Sequence, residues 1–538
     1  MSNTALIPSD GWPVNRLILA VTAFLLLTGN LTFAGVVLNA YPFTAATAAP
    51  LLSLALVFGG VTVLLLAPFC FGRSTRPLLA TVLLLSAAAA YFMDTYGVII
   101  SDDMLVNVAH TSMAESAELL TPRLFVYLVF LGVLPAWFVA KVPLRRSGSR
   151  GEVLARGRLL AGAVLVVIAT LLAFGSFYAS FFRVNKELRQ HANPVYYLYS
   201  AARFASLSLR SGNPGVVQPL GTDAAIPVSD VTRDLVIMVV GETARADRFS
   251  INGYHRETTP LMAKQNVVSL TNFRACGTST AVSVPCMFLL NGETRGHGRI
   301  ATEENVLDVL QHGGVHVLWR DNNSDSKGVA SRVAYQDFKT PANNPLCNPE
   351  CRDEGMLAGL QQYIDTHTRG DILIVLHQMG SHGPAYARRY PQAFEKFKPV
   401  CRDSDLSRCT REEIGNAYDN TILYTDHFLN QTIQLLKRND AKFETALFYV
   451  SDHGESLGEN GLYLHGIPKA IAPDTQLHVP ALMWFGKNFR LIDPADLRRK
   501  SAQRFTHNNV FHTLLGLFEI ETSVYDTGQD LLHPARPK

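Results

Sequence analysis

Apolar residues crowd the first third of the chain and then give way to short runs separated by polar, helix-like segments. Between Leu17 and Phe182, five stretches approach or reach the length needed to cross the ~30 Å hydrocarbon layer of a bilayer. They are Leu17–Val37, Leu51–Phe71, Leu78–Ile99, Leu124–Ala140 and Leu159–Phe177, the third and fourth having the least defined ends. A cleaved signal peptide is the competing reading of the first stretch. It is disfavoured because Arg16 is the only basic residue before it and four further stretches follow.

From Arg183 to Arg210, basic residues (Arg183, Lys186, Arg189, Arg203, Arg210) mix with Tyr196, Tyr197, Tyr199 and Phe204 at roughly helical spacing. That mixture suits a helix at the membrane interface, or a solvated helix joining two domains. Ser211–Val231 reads as a linker rich in Gly, Pro and small residues. Beyond it, apolar and β-branched runs recur at Leu235–Val240, Val315–Trp319, Ile372–Leu376, Ala446–Val450 and Ala481–Phe485, with helical patterns around Asn305–His312 and Asn416–Leu436. Continuous apolar strands alternating with helices predict an α/β domain with a mostly parallel sheet covered on both faces. The expected organisation is therefore a five-helix transmembrane domain (1–182), an interfacial helix and linker (183–231), and an α/β domain (232–538).

The whole chain of 538 residues carries a net charge of only +3, but the charges are sorted by loop. The segment after the second stretch holds Arg73 and Arg76. The segment after the fourth holds Lys141, Arg145, Arg146, Arg150, Arg156 and Arg158 against Glu152 alone. Between the third and fourth lie Asp94, Asp102, Asp103, Glu115 and Glu118, with no Lys or Arg before Arg123. Because Lys and Arg stay on the cytoplasmic side during insertion, the N-terminus is expected inside and everything after Phe182 outside.

Six of the seven cysteines fall in that exterior portion, as Cys276 with Cys286, Cys347 with Cys351, and Cys401 with Cys409; Cys70 lies in a membrane stretch. Six cysteines allow many connectivities, and short loops favour local pairing. Disulfides need an oxidising compartment, which agrees with an exterior location for this portion. A thiolate zinc cluster is the alternative, disfavoured because the chain has no C-x2-C pair.

In a parallel sheet, ligands bind beyond the carboxyl ends of the strands. Three strand ends deliver polar groups there: Gly241-Glu242-Thr243, Ser451-Asp452-His453-Gly454-Glu455, and His377 followed by His382. Carboxylates and imidazoles converging on one sheet edge are what a zinc site requires. The stretch Cys276-Gly-Thr-Ser-Thr280 adds clustered hydroxyls before a possible helix, whose N-terminal N–H groups can receive an anion.

This combination resembles the lipid A phosphoethanolamine transferases, the group that includes the mobile colistin-resistance enzymes, within the alkaline phosphatase and sulfatase superfamily. The resemblance covers nearly the whole chain. It is carried by Gly241-Glu-Thr-Ala-Arg245, Cys276-Gly-Thr-Ser-Thr280, Trp319-Arg-Asp-Asn-Asn323, His377-Gln-Met-Gly-Ser-His382-Gly-Pro384, Ser451-Asp-His-Gly-Glu455 and His465. It implies that Thr280 is the nucleophile and that Glu242, Asp452 and His453, completed by Thr280, bind one zinc. It further implies that Asn323, Lys327, His377, His382 and His465 line the phosphoryl pocket, that one of the three histidines is the general acid, and that His382 and His465 offer a second zinc site. Asn107, Thr111 and Glu115, four apart and so on one face if helical, match positions the family uses for the ethanolamine headgroup. The local disulfides also match the family, although the spacing of Cys347 and Cys351 is short for it.

The implied donor is phosphatidylethanolamine and the implied acceptor lipid A, with polymyxin resistance as the consequence. A monomer in the bilayer with no nucleic-acid partner is expected. A lipopolysaccharide core sugar or a periplasmic glucan is the alternative acceptor, and a non-catalytic phospholipid receptor the alternative class. Sulfate ester hydrolysis is disfavoured because no Cys-x-Pro-x-Arg or Ser-x-Pro-x-Arg motif surrounds Thr280. Lipoteichoic-acid synthases are disfavoured by the paired cysteines and the Cys-Gly-Thr-Ser-Thr motif.

Overall fold

The computed structural model describes residues 11–109, 111, 113–145, 148–184, 188–211, 217–295, 300, 302–348 and 350–533. The chain packs into two compact units, Met1–Leu105 with Leu120–Ser206, and Val106–Leu119 with Leu207–Lys538.

In the first unit, four helical spans are long and apolar enough to cross a membrane: Ala48–Phe69, Thr75–Tyr96, Pro122–Lys141 and Ser149–Ala173. The first stretch corrects the expectation of one continuous span over Leu17–Val37. It is two helices, Val14–Thr28 and Leu31–Ala40, bent by 59°. The cause is polar. Gly29 is a weak helix former, and the Asn30 side chain donates to the carbonyls of Leu25 (2.9 Å) and Asn193 (2.7 Å) while accepting from the Asn193 N–H (2.9 Å). Counting the bent pair as one span gives five. The last span begins at Ser149, ten residues ahead of its apolar stretch, so Arg150, Arg156 and Arg158 sit on its first turns. Of these, Arg156 is buried and donates to the Cys70 carbonyl at 3.0 Å.

The second unit is built on a seven-stranded sheet. In chain order its strands are β1 (Asp234–Gly241), β2 (Val268–Ser269), β3 (His316–Asp321), β4 (Ala334–Asp337), β5 (Ile372–His377), β6 (Glu444–Ser451) and β7 (Ala481–Phe485). Across the sheet they run β2-β7-β6-β1-β5-β3-β4. The five strands from β6 to β4 are parallel, and β7 pairs antiparallel with both β6 and β2. The central strands are apolar throughout because both sheet faces are covered. On one face Val236, Met238 and Val240 pack with Val306–Leu310 and Val510–Phe518. On the other, Leu235, Ile237 and Val239 pack with Ile414–Leu436 and Leu360–Ile364.

Helix boundaries follow their caps. Asn305 caps Val306–His312 and Thr410 caps Arg411–Asn439, each in a reciprocal capping box with Asp308 and Glu413. The expected linker is partly structured: Leu220, Ala224 and Ile226 pack against the first of these cores.

Candidate metal and phosphoryl-transfer site

β1 and β6 are neighbours in register, Gly241 opposite Ser451, so the residues that follow them emerge side by side. Glu242 follows β1, and Asp452 and His453 follow β6. Their ligand atoms all lie within 4.8 Å of one another and all three side chains are buried. Thr280, the first residue of the helix Thr280–Phe288, brings its Oγ1 to 3.1 Å from Glu242 Oε2 and 3.4 Å from His453 Nε2. The positive end of the helix dipole therefore opens onto the same point.

The donor set fits a divalent cation of zinc's kind. His453 donates through Nδ1 to the Gly454 carbonyl at 2.9 Å, which leaves the Nε2 lone pair directed at the carboxylates. Asp452 Oδ1 accepts from the N–H groups of Thr243 (3.1 Å) and His453 (2.7 Å). Asp452 Oδ2 is buried with no hydrogen-bond partner among the described residues, 3.3 Å from His453 Nε2. An orphaned buried carboxylate oxygen facing an imidazole lone pair is the arrangement a cation resolves. Burial pushes the Asp452 and Glu455 carboxyls up and the His453 and His382 imidazoles well down. Burial thus keeps the imidazoles in the neutral form that binds metal, whereas the carboxylates need a counter-charge to stay ionised.

Around this centre stand the other expected residues. His465 lies beside both His453 and His382, with ring centroids 4.4 and 5.5 Å apart, and its Nδ1 is 3.4 Å from Glu455 Oε1. Asn323 donates to Glu242 Oε2 at 2.7 Å and to the Gln378 carbonyl at 2.8 Å. Lys327 is buried next to Ser324 and Asp325, and its charge adds to burial, His465, Arg389 and His453 in holding the His382 imidazole neutral. His377, at the end of β5, is pinned by Asp321 at 2.9 Å.

Residues 58–209 match the family described as phosphoethanolamine transferase EptA/EptB, and residues 234–520 match the sulfatase family. The phosphatidylethanolamine transferase Mcr-1 of Escherichia coli is 40% identical over 516 residues, 94% of each chain. The chain belongs to the phosphoethanolamine transferase family. Phosphoethanolamine transferase EptA of Escherichia coli K12 is 42% identical over 476 residues, 86% of each chain. The solved integral membrane lipooligosaccharide phosphoethanolamine transferase A of Neisseria meningitidis superposes with a TM-score of 0.92 at 35% identity, over 97% of this chain and 99% of that one.

In this transferase the six exterior cysteines pair locally as Cys276–Cys286, Cys347–Cys351 and Cys401–Cys409. The first bridges the Thr280 loop to its own helix. The segment 106–119 departs from expectation. The helix Asp102–Ala109 stops before Thr111 and a second one covers Met113–Glu118, so Asn107, Thr111 and Glu115 do not share one continuous helix. Thr111 Oγ1 instead donates to the Asn107 carbonyl at 2.8 Å; the Glu115 side chain lies outside the described residues.

Three supporting residues carry no role in the sequence reading. Asp353 accepts from the N–H groups of Met379 (2.8 Å) and Gly380 (3.0 Å) and from Asn322 (2.8 Å), fixing the segment between His377 and His382. His507 accepts from the Cys276 N–H at 3.1 Å and donates to the Ser451 carbonyl at 3.0 Å, tying the Thr280 loop to the strand that presents Asp452. Tyr418 accepts from the Arg245 N–H (3.0 Å) and donates to the Thr243 carbonyl (2.6 Å), bracing the loop after Glu242. Asp321 had a signal, because it lies inside the Trp319–Asn323 motif. For His507 and Tyr418 no local pattern exists.

Proposed function

We propose that this transferase moves phosphoethanolamine from phosphatidylethanolamine to a lipid A phosphate at the periplasmic face of the bacterial inner membrane, through an ester on Thr280. The observation that carries the reading is the Thr280 hydroxyl, held at a helix N-terminus against Glu242 and His453 beside an orphaned Asp452 oxygen. Zinc bound by Glu242, Asp452 and His453 would lower the pKa of the Thr280 hydroxyl and offset phosphoryl charge.

In the first half-reaction, Thr280 Oγ attacks phosphorus, an O–P bond forms, and the bond to the glycerol oxygen breaks. Diacylglycerol leaves with a proton from His377, His382 or His465, the set that takes up the proton given up by the Thr280 hydroxyl. In the second, a lipid A phosphate oxygen attacks the same phosphorus, the Thr280 Oγ–P bond breaks, and Thr280 recovers its hydroxyl with a proton returned by the histidine set, which is a ping-pong scheme. Lys327 and Asn323 orient the phosphoryl oxygens, and Asn107, Thr111 and Glu115 receive the ethanolamine. His382 and His465 would hold a second zinc when one is present. The N-terminus is cytoplasmic, as the loop charges require. Lipid A so modified loses negative charge, which weakens polymyxin binding. The Neisseria relative is a lipooligosaccharide phosphoethanolamine transferase, and lipooligosaccharide is the same class of acceptor.

Mass spectrometry of lipid A from cells with and without the protein tests this reading. Added phosphoethanolamine, lost in Thr280→Ala, is expected. Unmodified lipid A alongside diacylglycerol release would redirect the activity to a core sugar or glucan, and no diacylglycerol release would end the transferase reading.

A further inference from the structure

Arg389 is 6% exposed and joins three segments that are distant in sequence. Its Nε donates to the carbonyl of His382 at 2.7 Å and its Nη1 to Glu350 at 2.8 Å. Glu350 lies between the bridged Cys347 and Cys351. Its Nη2 donates to Glu118, the last residue of the helix Met113–Glu118. Both partners of that last contact are largely withdrawn from solvent, with side-chain exposures of 3% and 9%.

A carboxylate at a helix C-terminus opposes the helix dipole, and burial adds a desolvation cost. Among the described residues, the cation that offsets both costs is Arg389. A guanidinium offers five N–H groups in a fixed plane, and here that plane satisfies a backbone carbonyl and two carboxylates in one geometry. An ammonium could keep the charge but not the three directions.

We infer that Arg389 is a positioning residue that holds the segment Val106–Leu119 on the catalytic unit and sets it in register with His382. The catalytic unit thus includes, as a working part, fourteen residues from the loop between two membrane spans. What the anchor positions, Asn107 and Thr111 for the ethanolamine headgroup, rests on the function proposed above; the anchor itself does not.

The test uses zinc-loaded full-length enzyme in nanodiscs containing phosphatidylethanolamine. Diacylglycerol release gives kcat and KM, and hydrogen exchange is followed in the peptide 106–119. Glu118→Gln is expected to raise KM about tenfold with kcat within about twofold, and to speed exchange of 106–119 about tenfold while β1 stays protected. Arg389→Lys is expected to raise KM similarly and also to lower kcat, because the His382 carbonyl loses its fixed donor. Glu118→Asp, which keeps the charge, should fall between wild type and Glu118→Gln.

Unchanged exchange of 106–119 in Glu118→Gln overturns the proposal, as does an unchanged KM in an active enzyme. Equal loss of protection in β1 would reduce the contact to general stability and overturn it too. If wild type releases no diacylglycerol, the transferase reading fails, and exchange alone decides the anchor.

Discussion

Asp321 Oδ2 lies 2.9 Å from His377 Nδ1, and both side chains are fully buried. The same oxygen accepts from Trp319 Nε1 at 2.9 Å, so the ring is locked with Nε2 facing away from the carboxylate. Burial raises the Asp321 carboxyl most, but the His377 imidazole, the Trp319 N–H and the Lys339 ammonium together hold the group below the usual carboxylate range. A carboxylate behind the ring fixes its tautomer and orientation. Asp321→Asn keeps the shape and removes the charge. It is expected to lower kcat about 100-fold with KM for phosphatidylethanolamine little changed, as steady-state diacylglycerol release would show. Equal activity would remove His377 from proton transfer.

If Glu242, Asp452 and His453 bind zinc as proposed, activity should depend reversibly on the metal. Exhaustive chelation of purified enzyme should abolish turnover, and zinc should restore it. Asp452→Asn is expected to weaken zinc binding by more than about 100-fold, beyond the 10–100-fold typical of outer-shell changes, as measured by competition with a chromophoric chelator. Full activity after chelation would refute a metal role.

His507 gives a stability prediction with a defined sign. Burial depresses its imidazole from 6.5 to about 4. Between those values the unfolded chain holds a proton that the folded chain does not, so stability falls as pH drops from 6.5 toward 4. The loss is about 3 kcal/mol for this group alone. His507→Gln should flatten the acid limb of Tm for the periplasmic unit, even if it lowers Tm near neutrality. An acid limb as steep as wild type would show that His507 is not its source.

Gly380 has φ +51°, and a Cβ there would stand 2.8 Å from the Glu242 carbonyl oxygen. Gly380→Ala would incur ~1–2 kcal/mol of backbone strain and press on the residue that presents a metal ligand. Weaker zinc binding at near-normal expression is the expected result. Unaltered affinity would mean that the Glu242 backbone yields without moving its carboxylate.

The central strands were legible because β1, β5 and β6 carry continuous apolar runs, and the chemistry was legible because Glu242 and Asp452 directly follow β1 and β6 and His377 ends β5. The edge strand β4 was not: its Ala334, Tyr335 and Gln336 are exposed, so no burial pattern marks it. The bend after Thr28 depends on Asn193, 163 residues away, and the role of His507 on Cys276, 231 residues away. Such contacts leave no trace in local periodicity. The helix break before Thr111 was hidden for a related reason, since four-residue spacing describes a face only where a helix continues through it.

The central claim is that Thr280 carries the transferred group. Intact-protein and peptide mass spectrometry of zinc-loaded enzyme, quenched after a single turnover with phosphatidylethanolamine and no acceptor, measures this directly. The account predicts one phosphoethanolamine on the peptide containing Thr280, absent in Thr280→Ala and discharged when lipid A is added. Diacylglycerol release with no adduct on that peptide would contradict it.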